Sequence, residues 1–414
     1  MGKKIRAIDL FAGCGGLMDG FEQSGHYHTV AAVEWEKCPC LNLKNRLHDK
    51  WGYVDANDRV LRFDIQRTDE LFSGWSDTKY GSSEGLDKLV KAAGGIDIII
   101  GGPPCQAYSI AGRVRDENGM RDDYRNYLFE SYLKVVKHYK PKAFVFENVP
   151  GMLSAKPGDF PIIDIIQKSF GDAGYYLLPN LRDAVLNFTE YGIPQNRKRV
   201  IIFGVCMEYF GNDSRQIVEY FYNKALPQYK VDKKATVRDA ISDLPKLYPL
   251  GKNQKYEGRR IAHSLPHPFV PNHIARWQST RDMEIFKLLT TDIESGRNEY
   301  VTTEALKTLY TKVTGKISNV HKYHVLRWDE PSNLIPAHLY KDGLRHIHPD
   351  SEQLRTITVR EAARLQTFTD DYIFEGSNAD LYKMIGNAVP PLMAKCLANA
   401  VNDVFQAFYF KKGR

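Results

Sequence analysis

The 414-residue sequence predicts an α/β fold: a doubly wound parallel sheet interrupted by a second, irregular domain. Three observations predict it. Over the first 205 residues, short β-branched runs alternate with helical patterns. From 206 to 355 that rhythm stops, and proline, tyrosine, histidine and basic residues dominate. From 356 a helical pattern returns, so the closing segment is expected to complete the first domain.

The strands come first. Residues 6–11, 29–34, 60–65, 96–101, 143–148 and 200–205 are apolar, β-branched runs of strand length. Between them, residues 127–136 (YLFESYLKVV) and 162–170 place apolar side chains at helical spacing. Within the irregular region the amphipathic stretch is 283–289. Residues 359–365 (VREAARL) read as a helix, and a last helix follows Pro391. The expected division is therefore 1–205, an inserted 206–355, and 356–414 rejoining the first part.

Composition narrows the setting. Hydrophobic residues make up 43% and charged residues 26%, as in ordinary globular chains. No apolar stretch is long enough to span a membrane and no leader is evident, which predicts a cytoplasmic protein. The six cysteines (14, 38, 40, 105, 206 and 396) are scattered, as expected in a reducing compartment. Cys38-Pro39-Cys40 has no second closely spaced pair to complete a metal site, so no metal is expected. The net charge is +7, and residues 221–350 hold 21 Lys and Arg against 14 Asp and Glu, a surplus of seven. All the net charge thus sits in one segment, along with eight of the twelve histidines. A polyanion docking there fits that placement.

In an open parallel sheet, ligands bind outside the carboxyl ends of the strands. Five polar signals fall at such ends: residues 11–16 (FAGCGG), Glu34-Trp35, Asp64-Ile65, Pro103-Pro104-Cys105 and Glu147-Asn148-Val149. The glycine turn suits close approach of a nucleotide at a helix N-terminus. Glu34 can accept both hydroxyls of a ribose, and Trp35 can offer a flat face to an adenine. Together they point to an adenosine-containing cofactor. A dinucleotide oxidoreductase is disfavoured, because the complete G-x-G-x-x-G spacing is absent.

Cys105 lies in "GGPPCQAYS", where two prolines stiffen the turn and aim the thiol. Glu147 ends a neighbouring apolar run, where an unpaired carboxylate is costly and tends to keep its proton. A thiolate beside a protonatable carboxyl suggests covalent attack on a ring with concurrent protonation, a pairing open to several enzyme classes. Arg197 and Arg199 in "QNRKR" alternate onto one face. "MIGNAVPP", residues 384–391, is a turn before a helix.

The ordered set "DLFAGCGG", "GGPPCQAYS", "ENV", "QNRKR", "RTITVREAARLQTF" and "YKMIGNAVP" resembles the DNA cytosine-5 methyltransferases, across roughly residues 5–205 and 355–405. The resemblance implies a Rossmann-like domain that uses S-adenosylmethionine, yields S-adenosylhomocysteine and acts on double-stranded DNA. It implies Cys105 as nucleophile at carbon 6 of cytosine, Glu147 at N3, Arg199 at the carbonyl oxygen, and Arg197 holding the loop. Pro104 would position base and methyl donor. Phe11, Trp35 and Ile65 would surround the adenine, with Asn387 and Val389 over the methionine end. Ala12, Gly13, Cys14, Gly16, Glu34, Asp64 and Leu128 complete the implied cofactor set.

The target atom is buried in a stacked duplex, so the base must be flipped out, with residues 112–124 as a closing loop. By the same resemblance 206–355 is the target-recognition domain, with Arg259, Arg260, Arg276, Gln278 and Arg281 as candidate readers of DNA. His263, His267 and His273 are expected to be phosphate or structural contacts. Thr369 stands where the family often has proline. With eight residues before the first motif, a stand-alone bacterial enzyme of a restriction-modification system is expected. Attack on one strand at a time makes a monomer sufficient. A related branch acting on transfer RNA, and a DNA binder with a dead site, are the alternatives.

Overall fold

β-Branched alternation builds the strands where the sequence places them. The computed structural model describes residues 4–104, 128–156, 161–317, 323–341 and 343–410. Chain packing divides it into two units, one of Met1–Gly192, Arg197–Lys233 and Ala388–Arg414, the other of Ile193–Asn196 and Lys234–Asn387.

The first unit carries β1 (Ile5–Leu10), β2 (Tyr27–Glu34), β3 (Val60–Arg62), a side hairpin of β4 (Trp75–Asp77) and β5 (Gly81–Ser83), β6 (Ile98–Gly101), β7 (Ala143–Asn148), β8 (Tyr175–Tyr176), β9 (Val185–Asn187) and β10 (Lys198–Cys206). Its main sheet runs β3-β2-β1-β6-β7-β10-β8, with β9 also on β10. β3, β2, β1, β6 and β7 are mutually parallel, and β10 joins β7 antiparallel. The order reverses at β1, the switch point where doubly wound sheets bind ligands. Register aligns the ends: Leu10 lies beside Gly101, Gly101 beside Phe146, and Glu147 beside Ile201.

Four helices fix those ends: α1 (Gly16–Gln23), α2 (Lys37–Asp49), α3 (Leu128–Tyr139) and α4 (Ile162–Asp172). α3 buries Leu128, Phe129, Tyr132, Leu133 and Val136 along one stripe. The Tyr132 hydroxyl lies 3.1 Å from the Ile99 carbonyl and 3.0 Å from that of Val145, a polar tie between α3 and both strands. Phe170 of α4 stacks on Phe144 at 4.4 Å. At the opposite end of the sheet, Asp97 pairs with Arg6 and Lys142. Burial raises the Asp97 pKa, but the two cations outweigh it and hold it at about 2.

The second unit holds a hairpin of β11 (Pro249–Tyr256) and β12 (Arg259–His263). Helices Thr280–Glu294 and Thr303–Thr314 bury Ile285, Phe286 and Leu289 with Leu306 and Leu309. Helix Val359–Leu365 starts on a capping box of Thr358 and Glu361.

The units divide at other positions than the composition breaks at 206 and 356. Residues 206–233 pack in the first unit because Phe221 stacks on Phe203 at 4.2 Å and the Tyr222 hydroxyl accepts from the Phe203 N–H. Residues 356–387 pack in the second, where buried Arg355 forks onto the Glu361 carboxylate at 2.7 Å through both terminal nitrogens. Aromatic and buried ionic contacts override the compositional signal.

Candidate active site

The turn after β1 is set by backbone conformation. Phe11, although not glycine, has φ 58°, and Gly13 and Gly15 follow at φ 56° and 83°. A left-handed phenylalanine is a strained position that its surroundings must hold. The Ala12 N–H donates to the Val33 carbonyl, and the Gly13 N–H donates to Glu34 Oε2 at 2.8 Å. The turn is thereby pinned to the end of β2.

Glu34 is buried, and its Oε1 accepts from the Trp35 and Glu36 N–H groups at 2.8 Å each. Burial pushes its pKa up, opposed by the three backbone donors. A carboxylate offers about four acceptor sites, so the three bonds leave capacity for a ribose hydroxyl. Trp35 beside it is 49% exposed, and a Cβ on Gly13 would meet nothing within 4 Å. An anchored carboxylate, an exposed indole and open space beside the turn fit an adenosine-containing cofactor.

Cys14 contributes backbone to this turn, since burial pushes its thiol far up and leaves it protonated. Gly16 packs on the segment before the closing helix: a Cβ there would overlap the Val389 carbonyl oxygen. β3 ends at Arg62, earlier than the sequence suggests, and Asp64 turns the chain by accepting from the Gln66 N–H at 3.1 Å. Ile65 and Leu128 are buried in the first unit's core.

The second cluster lies where β6, β7 and β10 meet. Arg199 Nε donates to Glu147 Oε1 at 2.8 Å, with both side chains about nine-tenths buried. This corrects the expectation of an unpaired carboxylate: the antiparallel register of β10 on β7 brings a guanidinium to it. Gly102 is a contributor the sequence reading missed. A Cβ on it would stand 2.7 Å from Glu147 Oε2, so the doubled glycine of "GGPP" was the available signal. Asn148 accepts from the Val149 N–H at 2.7 Å, and its Nδ2 lies 3.5 Å from the Pro103 carbonyl. Arg197 is buried and donates to the Ala388 carbonyl at 2.9 Å. Burial and the Arg199 charge lower its pKa, while Glu147 raises it. One carboxylate and two guanidinium groups thus gather where β7 ends and β10 begins.

Pro104 is exposed. Cys105 and residues 112–124 lie outside the described residues. Asn387 is exposed at the end of helix Asn378–Asn387 in the second unit.

Among the candidate DNA readers the structure separates two kinds. Gln278 is buried and donates to Thr356 Oγ1 at 3.1 Å, and Arg276 donates to the Leu339 and Tyr340 carbonyls over the Tyr382 ring. These two hold the second unit together and are corrected as readers. His263 and His273 are structural as well, bonded to the Gln353 carbonyl and to Thr358 Oγ1. Arg259, Arg260, Arg281 and His267 are exposed. No helix of the described residues is long and apolar enough to cross a membrane.

Comparison with known proteins gives the chain's relatives. A family model for the C-5 cytosine-specific DNA methylases matches residues 5–403. The chain is 36% identical to the type II methyltransferase M.Bpa9945I of Bacillus paralicheniformis, over 97% of this chain and 99% of that one. It is 29% identical to the type II methyltransferase M.AgeI of Thalassovita gelatinovora, over 96% and 99% respectively. The solved structure of the Entamoeba histolytica methyltransferase EhMeth shares the fold, with a TM-score of 0.54 at 14% identity over 98% of this chain and 99% of that one.

Proposed function

The chain belongs to the C-5 cytosine-specific DNA methylase family and is a DNA methyltransferase acting on carbon 5 of cytosine; from that premise we propose a sequence-specific bacterial modification enzyme that works through a covalent cysteine adduct on a flipped-out base. The observation that carries the reading is the Arg199–Glu147 pair packed against Gly102. It sets an acid beside the strand that ends at Gly101, four residues before Cys105 in the sequence.

The family implies S-adenosylmethionine as methyl donor. When bound, it supplies an electrophilic methyl group. Glu34 would hold its ribose, with Phe11, Trp35 and Ile65 about the adenine and Val389 and Asn387 towards the methionine end. The chain's own residues supply the rest.

Carbon 5 of cytosine is a poor nucleophile. Addition of the Cys105 thiolate to carbon 6 forms a C–S bond and moves the ring electrons towards carbon 5. Glu147 places a proton or hydrogen bond at N3, which absorbs the charge of that addition. Arg199 steadies Glu147 and reaches the carbonyl oxygen of the base, while Arg197 anchors the Ala388 turn. Carbon 5 would then take the methyl group from the donor's sulfonium, leaving S-adenosylhomocysteine, after which loss of the carbon 5 proton to an acceptor such as water expels the thiolate and restores the ring. The base has to leave the duplex for any of this.

The names of the type II relatives support a role as modification enzyme of a restriction-modification system; a bacterial cytoplasm suits that role, and attack on one strand at a time makes a monomer sufficient. Base-resolution 5-methylcytosine mapping in a methylation-free host tests the reading. Marks at one short motif, lost with Cys105→Ala, are expected. An unmarked genome with soluble protein present rejects it.

A further inference from the structure

The turn carrying Asp64 and Ile65 follows β3, the strand that ends the sheet order and pairs with β2. A three-residue strand at a sheet edge gives that turn little support of its own. Register sets Arg62 beside Glu34, and the Phe63 N–H donates to the Glu34 carbonyl at 3.0 Å. The backbone leading into Asp64 is thus tied to the residue that anchors the glycine turn.

The side hairpin of β4 and β5 closes on this edge. Trp75 stacks on Phe63 with ring centroids 3.9 Å apart and planes 25° from parallel, and Tyr80 meets the same ring edge-on at 5.3 Å. The Arg67 guanidinium lies 4.6 Å from the Phe63 ring centre. Arg62 Nη1 donates to the Lys79 carbonyl at 3.0 Å, and Arg67 Nη1 donates to Asp77 Oδ2 at 2.6 Å. Asp77 Oδ1 accepts from the Lys79 and Tyr80 N–H groups at the hairpin tip. An isolated two-stranded hairpin is barely stable in water, so these contacts hold the hairpin and the β3 edge as one piece. Phe63, Ile65, Trp75 and Tyr80 share a single buried cluster.

Trp75 supplies this cluster with a ring face. Its indole Nε1 is buried and has no hydrogen-bond partner among the described residues. The position is therefore not held by a polar contact, and the stack on Phe63 is what the side chain contributes.

We propose that the β4–β5 hairpin buttresses the adenosine half of the cofactor site, with Trp75 as the positioning residue that sets Glu34, Asp64 and Ile65 through Phe63. The proposal rests on the reading of S-adenosylmethionine as methyl donor, and it adds a determinant of donor affinity outside the glycine turn. Adenosine is common to the donor and to its product S-adenosylhomocysteine, whereas the methyl leaves from the other end. The hairpin thus governs the affinity of both ligands alike and leaves the chemical step alone.

The test is calorimetric titration of the full-length protein with S-adenosylmethionine and, separately, with S-adenosylhomocysteine. Trp75→Ala is expected to weaken both by the same factor, about tenfold, the size of one lost aromatic stack. In steady-state methylation the KM for the donor should rise by that factor, with kcat within about twofold of the parent. Trp75→Phe keeps a ring on Phe63 and removes the unpartnered N–H, so its affinities should lie within about twofold of the parent. Should Trp75→Ala fail to fold, Arg67→Gln decides, with both affinities expected to fall by about threefold as its cation–π contact is lost. A folded Trp75→Ala that binds both ligands as the parent does overturns the proposal. A loss confined to S-adenosylmethionine overturns it too, since that would place the effect at the methyl end. Parent protein that binds neither ligand overturns the cofactor reading instead.

Discussion

Arg199 and Glu147 form a buried ion pair at 2.8 Å across the antiparallel junction of β10 and β7. Neither residue holds this geometry alone. The strand register sets Glu147 beside Ile201, so Arg199 reaches it diagonally from two residues along β10, and Gly102 leaves room for the second carboxylate oxygen. The pair converts two separate sequence motifs into one charged site.

Replacing Glu147 with Gln should therefore strike turnover. A positioned acid contributes about 10²–10⁴-fold, so single-turnover methylation should slow by at least two orders of magnitude while DNA affinity stays within a few-fold. An unimpaired rate would remove Glu147 from the chemistry. Arg199→Lys keeps a charge but loses the guanidinium fork, and should slow the same step with less loss.

Gly102→Ala tests the packing behind the acid. The added Cβ would stand 2.7 Å from Glu147 Oε2 and force the carboxylate aside. Methylation should fall with an unchanged melting midpoint, and the pH–rate profile should move. A variant with the parent's rate and profile would show that Glu147 tolerates the shift.

Acid should loosen the second unit first. Burial lowers His263 to about 4 and His346 and His348 to about 3, and the Arg355 guanidinium holds Glu361 far below its ordinary value despite burial. Each histidine binds its proton more readily unfolded, so its contribution is complete above about pH 6.5 and is lost as pH falls towards 3–4. Glu361 loses its contribution as pH falls below about 4.5. In the first unit Asp97, at about 2, loses its share below about pH 3.8. Hydrogen exchange between pH 7 and 4 should show residues 234–387 losing protection before the main sheet; simultaneous loss would contradict this.

Gly20→Ala should destabilise the first unit. A Cβ on Gly20 would overlap the Pro391 carbonyl oxygen and Ala394 Cβ of the closing helix Pro391–Phe408. Overpacking of this kind costs about 1–3 kcal/mol. Urea denaturation should register that loss, and a midpoint unchanged from the parent would mean the helices separate freely.

Much of this was legible in the chain. The alternation of apolar runs set the sheet, and the glycine turn and acids expected at strand ends stand at the carboxyl ends of β1, β2 and β7, because local spacing encodes both. What stayed hidden depended on contacts distant in sequence. Arg199 reaching Glu147 needed the register of β10, and the engagement of Gln278 and Arg276 needed partners distant in sequence, Thr356 and the Leu339 carbonyl. The unit boundaries escaped for the same reason: composition at 206–233 resembles the inserted region, yet Phe221 and Tyr222 pack on β10. Gly102 looked like turn chemistry because its constraint comes from a side chain on another strand.

The covalent step is tested most directly with a duplex containing 5-fluorocytosine at the mapped site, incubated with S-adenosylmethionine and run on a denaturing gel. Fluorine on carbon 5 cannot be removed as the proton is, so the thiolate cannot be expelled. A denaturant-stable protein–DNA band that disappears with Cys105→Ala is the predicted result. Active enzyme that forms no such band, or a band that survives Cys105→Ala, would contradict nucleophilic attack by Cys105.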